Sequence, residues 1–211
     1  MEDIVELPGT EIKRLFPDPY YFGVSNLDWC NKVEITCEGV TSITPCKVAR
    51  IISHQLFSAY QRLYGKSPQT IIDATANVGG NTLSFAREFP HVIAYEIKHA
   101  TYNSLVHNTR FYECRNIQCI NDDFTIASNK LPNTDVIFID PPWFINGQPN
   151  TRMMLDYRWR PHPQPLEALI VKIILQSDCL IAVKVPKRFT LRLIESSRLI
   201  FKKMDVLIFH R

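Results

Sequence analysis

The sequence predicts an α/β fold built around a parallel, doubly wound sheet. Short apolar runs rich in β-branched residues alternate with amphipathic segments along most of the chain. Parallel strands require crossovers between them, and strands covered by helices on both faces become continuously apolar. The runs predicted as parallel strands are 70–74, 92–95, 117–120, 136–139 and 180–185. The segments predicted as the intervening helices are 80–89, 99–113, 124–130 and 165–177.

A further element is predicted at each end of this alternation. Apolar residues at helical spacing between Pro45 and Tyr64 predict a long helix, with Thr44 as its N-cap and Pro45 at its first position. At the other end, segments 199–201 and 206–209 flank a Lys-Lys-Met-Asp turn. Two apolar runs joined by a short polar turn predict a terminal β-hairpin.

The region before the long helix has a different character. Residues 1–43 are rich in aromatic and turn-forming residues and contain one predicted short strand, 33–36. We interpret this region as an N-terminal appendage that contributes to the substrate site. Residues 44–211 are expected to form the main domain, which is long enough to bury one core of ordinary size.

The composition excludes several classes of protein. With 45% hydrophobic and 21% charged residues, the chain is typical of a globular domain and not of a disordered one. It contains no apolar run near the ~20 residues that a membrane-spanning helix needs. Its first residues are acidic and do not resemble a signal peptide, so we expect a nuclear or cytoplasmic location. The six cysteines include no CxxC pair and are expected to be free thiols, without bound zinc.

Charge is distributed unevenly along the chain. Residues 151–211 contain twelve Lys or Arg against five Asp or Glu, whereas residues 1–150 contain twelve against sixteen. A basic C-terminal part suits a polyanionic partner such as nucleic acid, although a lysine-rich solvated surface would give the same composition.

Acidic residues and a glycine-bearing turn follow the first three predicted strands. The first strand ends at Asp73 and leads through Gly79-Gly80 into a helix, so backbone N–H groups are presented at a helix N-terminus. Glu96 ends the second strand, where a carboxylate can hold both hydroxyls of a ribose. After the third strand, Asp122-Asp123 can accept a hydrogen bond from an adenine amino group. The sequence therefore predicts a nucleoside cofactor bound without a pyrophosphate contact, and S-adenosylmethionine fits this pattern.

The fourth predicted strand runs directly into Asp140-Pro141-Pro142-Trp143. The two prolines make a stiff turn that fixes the direction of the flanking side chains and carbonyl groups. An exocyclic amine of a nucleobase is a poor nucleophile, and a carboxylate together with a main-chain carbonyl can orient it by accepting its hydrogens. Trp143 offers a face on which the base can stack. The turn therefore predicts methyl transfer to a nucleobase amino group, with no bound metal.

Three segments of the sequence match patterns that are more specific than those of methyltransferases in general. Thr41–Ala49 is similar to the pattern Ser-x-Thr-Pro-x-Lys-Ile-Ala, and Asp73–Thr82 is similar to Asp-Ala-x-x-x-Val-Gly-Gly-Asn-Thr. Asp123-Phe124 matches part of a Gly-Asp-Phe pattern. Both longer patterns are typical of the trimethylguanosine synthases, which methylate N2 of the guanine in 7-methylguanosine RNA caps. The chain resembles this family from about Tyr20 to Arg188.

The resemblance implies a Rossmann-like S-adenosylmethionine-dependent methyltransferase that acts on capped RNA. We expect a monomer, with RNA selection beyond the cap coming from the folded surface or from a protein partner. The residues implied for cofactor binding are Thr44, Asp73, Asn77, Gly79, Glu96 and Asp123. For the reaction itself, the chemistry of the turn predicts Asp140, Pro141 and Trp143, and the resemblance implies that Trp143 stacks the methylated guanine. For the cap phosphates it implies Lys187, and charge and position add Arg152 and Arg188.

Three departures from the family pattern concern the substrate side. The family has Ser where this chain has Asp140, and aspartate there is characteristic of adenine and cytosine amino-methyltransferases. A Gly-Gly-Pro-x-Tyr run that follows the family's turn is replaced from Phe144 onward. Lys187 stands in place of Arg and loses the forked geometry that suits phosphate.

These features leave two other functions open. The first is an amino-methyltransferase for adenine N6, or for guanine within tRNA or rRNA. The second is a catalytically silent RNA-binding partner that keeps the fold.

Overall fold

The architecture is taken from a computed structural model of the chain. The structure describes residues 4–25, 28–145, 148–150, 154–155, 164–189, 191–193 and 195–211. No helix in these ranges is both long and apolar enough to cross a membrane.

A seven-stranded sheet forms the centre of the molecule. Its strands are β1 (Thr70–Asp73), β2 (His91–Tyr95), β3 (Ile117–Ile120), β4 (Val136–Ile139), β5 (Leu180–Pro186), β6 (Ser197–Ile200) and β7 (Met204–Phe209). Their order across the sheet is β6-β7-β5-β4-β1-β2-β3. The strands β1 to β5 are parallel, and β7 runs antiparallel to both of its neighbours. The predicted doubly wound sheet and its terminal hairpin are therefore confirmed.

Helices cover both faces of this sheet. Their bounds are α1 (Gly9–Leu15), α2 (Cys37–Ser42), α3 (Cys46–Tyr64), α4 (Gly80–Phe85), α5 (His99–Phe111), α6 (Phe124–Ala127) and α7 (Leu166–Gln176). The appendage also has 3-10 turns at Pro19–Phe22 and Trp29–Asn31. Two-residue strand pairs join Phe144–Ile145 to Gln148–Pro149 and Met154–Leu155 to Gln164–Pro165.

Strand β1 shows how the core divides into two layers. Its neighbouring residues Ile71 and Ile72 are both fully buried, but they belong to different apolar clusters. Ile71 lies in the cluster that contains Leu56 of α3, and Ile72 lies in the cluster that contains Ile170 of α7. Successive strand residues point to opposite faces, so a strand that is apolar throughout packs against helices on both sides of the sheet.

The appendage packs onto the main domain through its own apolar cluster. Phe16 and Ile35 of the appendage are fully buried together with Leu83 of α4. The approach is close at Gly80, where an added Cβ atom would lie 2.5 Å from Cγ1 of Ile43. Glycine at this position therefore lets the connection between α2 and α3 lie directly against the start of α4.

Two local predictions in this region were wrong. The segment 33–36 is not a strand: only an isolated bridge joins Thr36 to Ile4, and the Thr36 hydroxyl accepts from the Gly39 N–H and caps the unpredicted helix α2. Thr44 is not the N-cap of α3, because the helix begins one residue later than expected and Pro45 occupies the cap. Thr36 was assigned to a strand although it caps a helix, and Thr44 was assigned as a cap although the helix begins one residue later.

Candidate active site

Two adjoining cavities lie at the carboxyl edge of the sheet, beside the point where strand order reverses between β1 and β4. Ligands of doubly wound sheets bind in such a crevice because the loops on either side leave toward opposite faces. The first cavity has a volume of about 190 Å³ and the second about 1000 Å³. Asp140 and Pro142 line both cavities and therefore mark their junction.

The first cavity is strongly acidic. Its charged lining residues are Glu38, Glu96, Lys98, Asp122, Asp123 and Asp140. The one ammonium group among these described residues is paired with Glu38, and this ion pair connects α2 to the loop after β2. Such a lining repels a pyrophosphate and favours a ligand that is cationic and rich in hydrogen-bond donors.

Glu96 is held in place by two backbone donors. Its Oε2 accepts from the Asn77 N–H at 2.9 Å, and its Oε1 accepts from the Lys98 N–H at 2.9 Å. Each carboxylate oxygen has more than one acceptor site, so one backbone donor does not by itself saturate either oxygen. The carboxylate is oriented before a ligand binds.

Asn77 connects the loop after β1 to the appendage. Its backbone is left-handed, with φ of 51°, a conformation that asparagine tolerates better than most residues. This turns its side-chain amide toward α2, where it donates to the Ser42 hydroxyl at 2.7 Å. The loop and helix α2 therefore form one side of the first cavity together.

Asp123 lies at the far end of this cavity, where it caps helix α6. Its Oδ1 accepts from the N–H of Thr125 at 2.7 Å and from the hydroxyl of the same residue at 2.6 Å. Phe124 and Ile97 add apolar surface next to it. Apolar surface beside carboxylate acceptors fits an adenine ring and its amino group. The acceptor groups and the apolar lining of the cavity therefore suit S-adenosylmethionine.

Two of the predicted cofactor residues lie beneath the loop and do not line either cavity. Asp73 is fully buried, and its carboxylate accepts from the Thr82 hydroxyl at 2.7 Å. Burial raises the pKa of Asp73 to about 7, with the hydrogen bond from Thr82 opposing the shift. Gly79 caps helix α4 with φ of 103°, which a residue with a side chain rarely adopts. Both residues shape the loop from behind.

The turn after β4 is joined to strand β5 by a buried lysine. Lys184 Nζ donates to Asp140 Oδ2 at 2.5 Å and to Thr44 Oγ1 at 2.8 Å, and only 5% of the residue is exposed. Thr44 thus lines the second cavity and not the first. The Asp140 N–H donates to the Thr75 hydroxyl at 2.8 Å, which fixes the start of the turn.

Burial raises the pKa of Asp140, while the Lys184 ammonium opposes that shift by its charge and its hydrogen bond. The ion pair occupies Oδ2 and holds the carboxyl plane in one orientation. The other oxygen, Oδ1, accepts no hydrogen bond from the residues that the structure describes, and it can accept one from a ligand in the adjoining space.

Trp143 is half-buried and lines the second cavity. The Lys184 ammonium lies 5.2 Å from the centre of its ring, and the indole N–H donates to the carbonyl of the same lysine at 3.4 Å. Asn150 closes the turn: its side-chain amide donates to the Pro142 carbonyl at 2.6 Å and its N–H to the Trp143 carbonyl at 2.8 Å. The turn is therefore fixed from both sides.

The basic residues predicted to contact phosphate are placed differently. Lys187 pairs with the buried Asp205 at 3.1 Å, and the N–H of Arg188 donates to the same carboxylate at 3.0 Å. Lys187 Nζ also donates to the Phe201 carbonyl at 2.7 Å. Arg152 lies outside the described residues.

Lys184 is a site residue that the sequence did not reveal to us. The signal was available, because it is the one charged residue in the run Leu180–Val185, which is otherwise apolar. A lysine inside a strand that is buried on both faces requires a partner, since an unpaired buried charge is very costly. Its partner comes from a different strand, so no local pattern pointed to Asp140.

No cluster of three or more metal-binding side chains occurs in the described ranges. The site instead consists of carboxylates, one buried lysine and an aromatic face around two connected spaces.

Comparison with known proteins decides the family. The family model described as RNA cap guanine-N2 methyltransferase matches residues 68–205, which include the whole crevice. The chain belongs to this family. It is therefore of the S-adenosylmethionine-dependent methyltransferase class.

Two curated relatives match parts of this methyltransferase. The trimethylguanosine synthase of Schizosaccharomyces pombe is 31% identical over 108 residues, which cover 48% of this chain and 42% of that protein. An uncharacterized protein of Acanthamoeba polyphaga mimivirus is 40% identical over 76 residues, covering 35% of this chain and 29% of that protein. The chain thus spans less than half the length of either relative.

A solved S-adenosylmethionine-dependent methyltransferase of Neisseria gonorrhoeae has the same fold. It superposes with a TM-score of 0.55 at 13% identity and covers 77% of this chain and 71% of that chain. At this identity the likeness concerns the arrangement of strands and helices alone.

We predict that Glu96→Ala weakens binding of S-adenosylmethionine by roughly 10- to 100-fold, because hydrogen bonds to a charged group contribute about 1.5–3 kcal/mol. Calorimetric titration with the cofactor measures this change. Glu88→Ala is the matched control, since Glu88 pairs with His54 away from both cavities. An unchanged affinity in Glu96→Ala would remove this residue from the ribose role.

Proposed function

We propose that this methyltransferase transfers a methyl group from S-adenosylmethionine to the exocyclic N2 of guanine in 7-methylguanosine RNA caps. The observation that carries the proposal is the position of Asp140-Pro141-Pro142-Trp143 at the junction of the two cavities. This turn brings an acceptor carboxylate and an aromatic face next to an acidic cavity suited to a nucleoside. Family membership supports the choice of the cap as the substrate.

In the proposed reaction, the turn orients the amine. Asp140 Oδ1 and the Pro141 carbonyl accept the two amine hydrogens, so that the nitrogen lone pair points toward the first cavity. No described residue donates a hydrogen bond to the Pro141 carbonyl, whereas the next carbonyl, of Pro142, is already bound by Asn150. Holding the two reactants in one orientation supplies most of the acceleration in such a displacement.

The cofactor is held by groups that are already ordered. Glu96 would bind the ribose hydroxyls and Asp123 the adenine amino group, while Phe124 packs against the ring. When bound, S-adenosylmethionine supplies an electrophilic methyl group on a sulfonium. Asp140 lies close enough to both spaces to accept the proton that the amine loses after it is methylated, either directly or through solvent.

Trp143 would hold the base by stacking. Stacking on an aromatic ring contributes ~1–3 kcal/mol per base, and a cationic base such as 7-methylguanine adds a cation–π attraction. The clamp by Asn150 keeps the ring at a fixed distance from Asp140. A base stacked there would present its amino group to the carboxylate.

A second candidate is a different nucleobase amine, such as adenine N6 or a guanine within tRNA or rRNA. The observation in its favour is that Lys184 already neutralises Asp140 and lies over Trp143. A cationic base is therefore attracted less strongly to this carboxylate than it would be to an unpaired one. The binding of a neutral base does not depend on this attraction.

Methyl transfer to RNAs that differ only in the cap separates the two candidates. Short RNAs carrying a 7-methylguanosine cap or a plain guanosine cap are incubated with labelled cofactor, and the digested products are identified by mass spectrometry. Label on N2 of the 7-methylated cap alone supports the proposal. Label on an internal adenine or guanine supports the second candidate instead.

A monomeric state and an intracellular location belong to the same proposal. The first is checked by measuring the mass of the purified protein in solution, and the second by locating the tagged protein in cells.

We expect Trp143→Ala to lower kcat/KM for the capped RNA by about 100-fold, since it removes the stacking energy and the fixed position of the base. The affinity for S-adenosylmethionine should stay close to that of the wild type, because Trp143 does not line the first cavity. Trp143→Phe keeps an aromatic face and should retain much of the activity. Parallel loss of cofactor affinity in Trp143→Ala would show a structural role instead.

We expect Lys184→Met to move the acid limb of the kcat/KM profile to higher pH. Asp140 accepts the hydrogen bond and the proton of the substrate amine in its ionised form. Activity therefore falls as the pH falls through the pKa of Asp140. Removing the neighbouring cation raises that pKa, because the charge and the hydrogen bond of Lys184 both favour the ionised carboxylate. The negative charge of Asp140 in turn contributes to raising the pKa of the buried Asp73 on β1.

Lys184→Arg is the control for this profile, because it retains the charge beside Asp140. Its acid limb should stay near that of the wild type even if its activity is lower. An acid limb that does not move in a folded Lys184→Met variant would mean that the ionisation of Asp140 does not limit transfer.

A further inference from the structure

Two neighbouring tyrosines are displayed on the outside of the appendage. Tyr20 and Tyr21 belong to the 3-10 turn Pro19–Phe22, and they are 77% and 59% exposed. Arg87, which follows helix α4, places its guanidinium carbon 4.7 Å from the ring centre of Tyr21. Single exposed aromatic residues are common on protein surfaces, but two consecutive ones beside an arginine form a patch that indicates a ligand.

Helix α3 connects this patch to the second cavity. Glu88, the residue after Arg87, pairs with His54 of α3 at 3.8 Å. Arg50 lies one turn before His54 on the same face of the helix, and both are exposed. Val48, near the start of α3, lines the second cavity. At a rise of about 1.5 Å per residue, the step from Val48 to His54 covers only about 9 Å.

From this arrangement we propose that Tyr20, Tyr21, Arg50 and Arg87 bind the single-stranded RNA that follows the cap, chiefly by stacking on its bases. We refer to these four residues as the Tyr–Arg surface. The proposal rests on the function given above and deepens it, because it names where the body of the RNA lies. Stacking on aromatic rings tolerates any sequence, since every base has a flat face.

The backbone of the 3-10 turn is fixed before any ligand binds. Asp18 caps the turn, and its Oδ1 accepts from the Tyr20 N–H at 3.0 Å. Phe22 packs edge-on against the ring of Tyr112, with 5.1 Å between the two centres. Tyr112 is fully buried and donates to the Pro17 carbonyl at 2.6 Å. The turn is therefore anchored to the core, while the rings of its two tyrosines stay outside.

The arginines of the Tyr–Arg surface carry charge that is not paired within the described ranges. Among the residues that the structure describes, no carboxylate lies within ion-pair distance of Arg50 or Arg87. Two carboxylates border the surface in sequence, and both have partners: Asp18 caps the turn and Glu88 pairs with His54. A guanidinium group can stack on a base as well as bind a phosphate.

Single-stranded RNA fits this surface better than a protein does. Exposed tyrosine and arginine side chains occur in protein interfaces too. Unpaired cations beside flat ring faces, however, are the combination that binds single-stranded nucleic acid. The nucleotides that follow a cap held on Trp143 must leave the second cavity, and the start of α3 forms part of its wall. The continuity of α3 from this wall to the tyrosines therefore favours RNA.

Binding of uncapped RNA tests the surface without relying on catalysis. A short unstructured RNA with a fluorescent label at its 3′ end is titrated with the wild type, with Tyr20→Ala/Tyr21→Ala and with Tyr20→Phe/Tyr21→Phe, and the fluorescence anisotropy is recorded. We expect the affinity to fall about tenfold or more in the alanine variant, which loses the stacking, and to stay within about twofold in the phenylalanine variant. Equal affinity in all three proteins would overturn the proposal and leave a protein as the candidate partner.

The arginines are tested by removing their charge. Arg50→Gln and Arg87→Gln should each weaken RNA binding and reduce the slope of log Kd against log salt by about 1. Lys130→Gln is the matched control, because it removes one positive charge from an exposed position after α6, which packs on the face of the sheet opposite α3. An equal loss of affinity in the control would show a general attraction by charge and count against the surface.

Methyl transfer then shows whether the Tyr–Arg surface acts on the substrate. For Tyr20→Ala/Tyr21→Ala, KM should rise for capped RNA and stay unchanged for 7-methylguanosine triphosphate, which has no nucleotide beyond the cap. An equal rise of KM for both substrates would mean that the variant disturbs the cap site, and the proposal would then be wrong.

The two proposals fail in different ways. Without transfer to any 7-methylguanosine substrate, the proposed function fails, while the anisotropy titration still decides whether the Tyr–Arg surface binds RNA. RNA binding that does not depend on the two tyrosines, together with N2 methylation of caps, would keep the function and reject the surface.

Discussion

The reversal of strand order between β1 and β4 is the constraint on which the active site depends. Both strands are parallel and hydrogen-bonded along three residue pairs, so their carboxyl ends lie side by side. From there, β1 continues into α4, which packs with α3, whereas β4 leads to α7 on the other face. The two loops must separate, and the space between them becomes the crevice. Asn77 from the loop after β1 and Asp140 from the turn after β4 both line this crevice.

Lys184 converts this crevice into a single connected site. Its ammonium joins Thr44 from the connection between α2 and α3 to Asp140 from the turn after β4, and it lies over Trp143. A buried ion pair contributes little net stability, because desolvation of both charges offsets their attraction. Removing one partner, however, leaves an uncompensated charge and costs about 3–5 kcal/mol. The role of the Lys184–Asp140 pair is therefore best explained by geometry, because the pair fixes the orientation of the Asp140 carboxylate.

The sequence predicted those parts of the fold that depend on local periodicity. The five parallel strands were found within a residue or two, because strands that are buried on both faces must be apolar throughout. The acidic strand ends were found for the same reason, since a polar residue that stops an apolar run stands out. Helix α2 was missed because it is only six residues long and its stability comes from packing on α4 and from the Thr36 cap.

Residues whose role depends on a distant partner were harder to predict. Lys187 has the charge and the sequence position of a phosphate ligand, but Asp205, 18 residues later, holds its ammonium group. Thr44 resembles a helix cap, yet its partner Lys184 is 140 residues away. In both cases the side chain was recognised as polar and its partner could not be inferred, because only the tertiary fold brings the two residues together.

The charges of the two cavities suit the direction in which charge moves in the proposed reaction. Positive charge begins in the first cavity, among carboxylates, and passes to the methylated amine in the second. Asp140 lines both spaces, so it stays near this charge throughout the transfer and can accept the proton that follows. Lys184 limits how strongly the carboxylate attracts the starting cation, because a partly neutralised acceptor does not favour the ground state over the transition state.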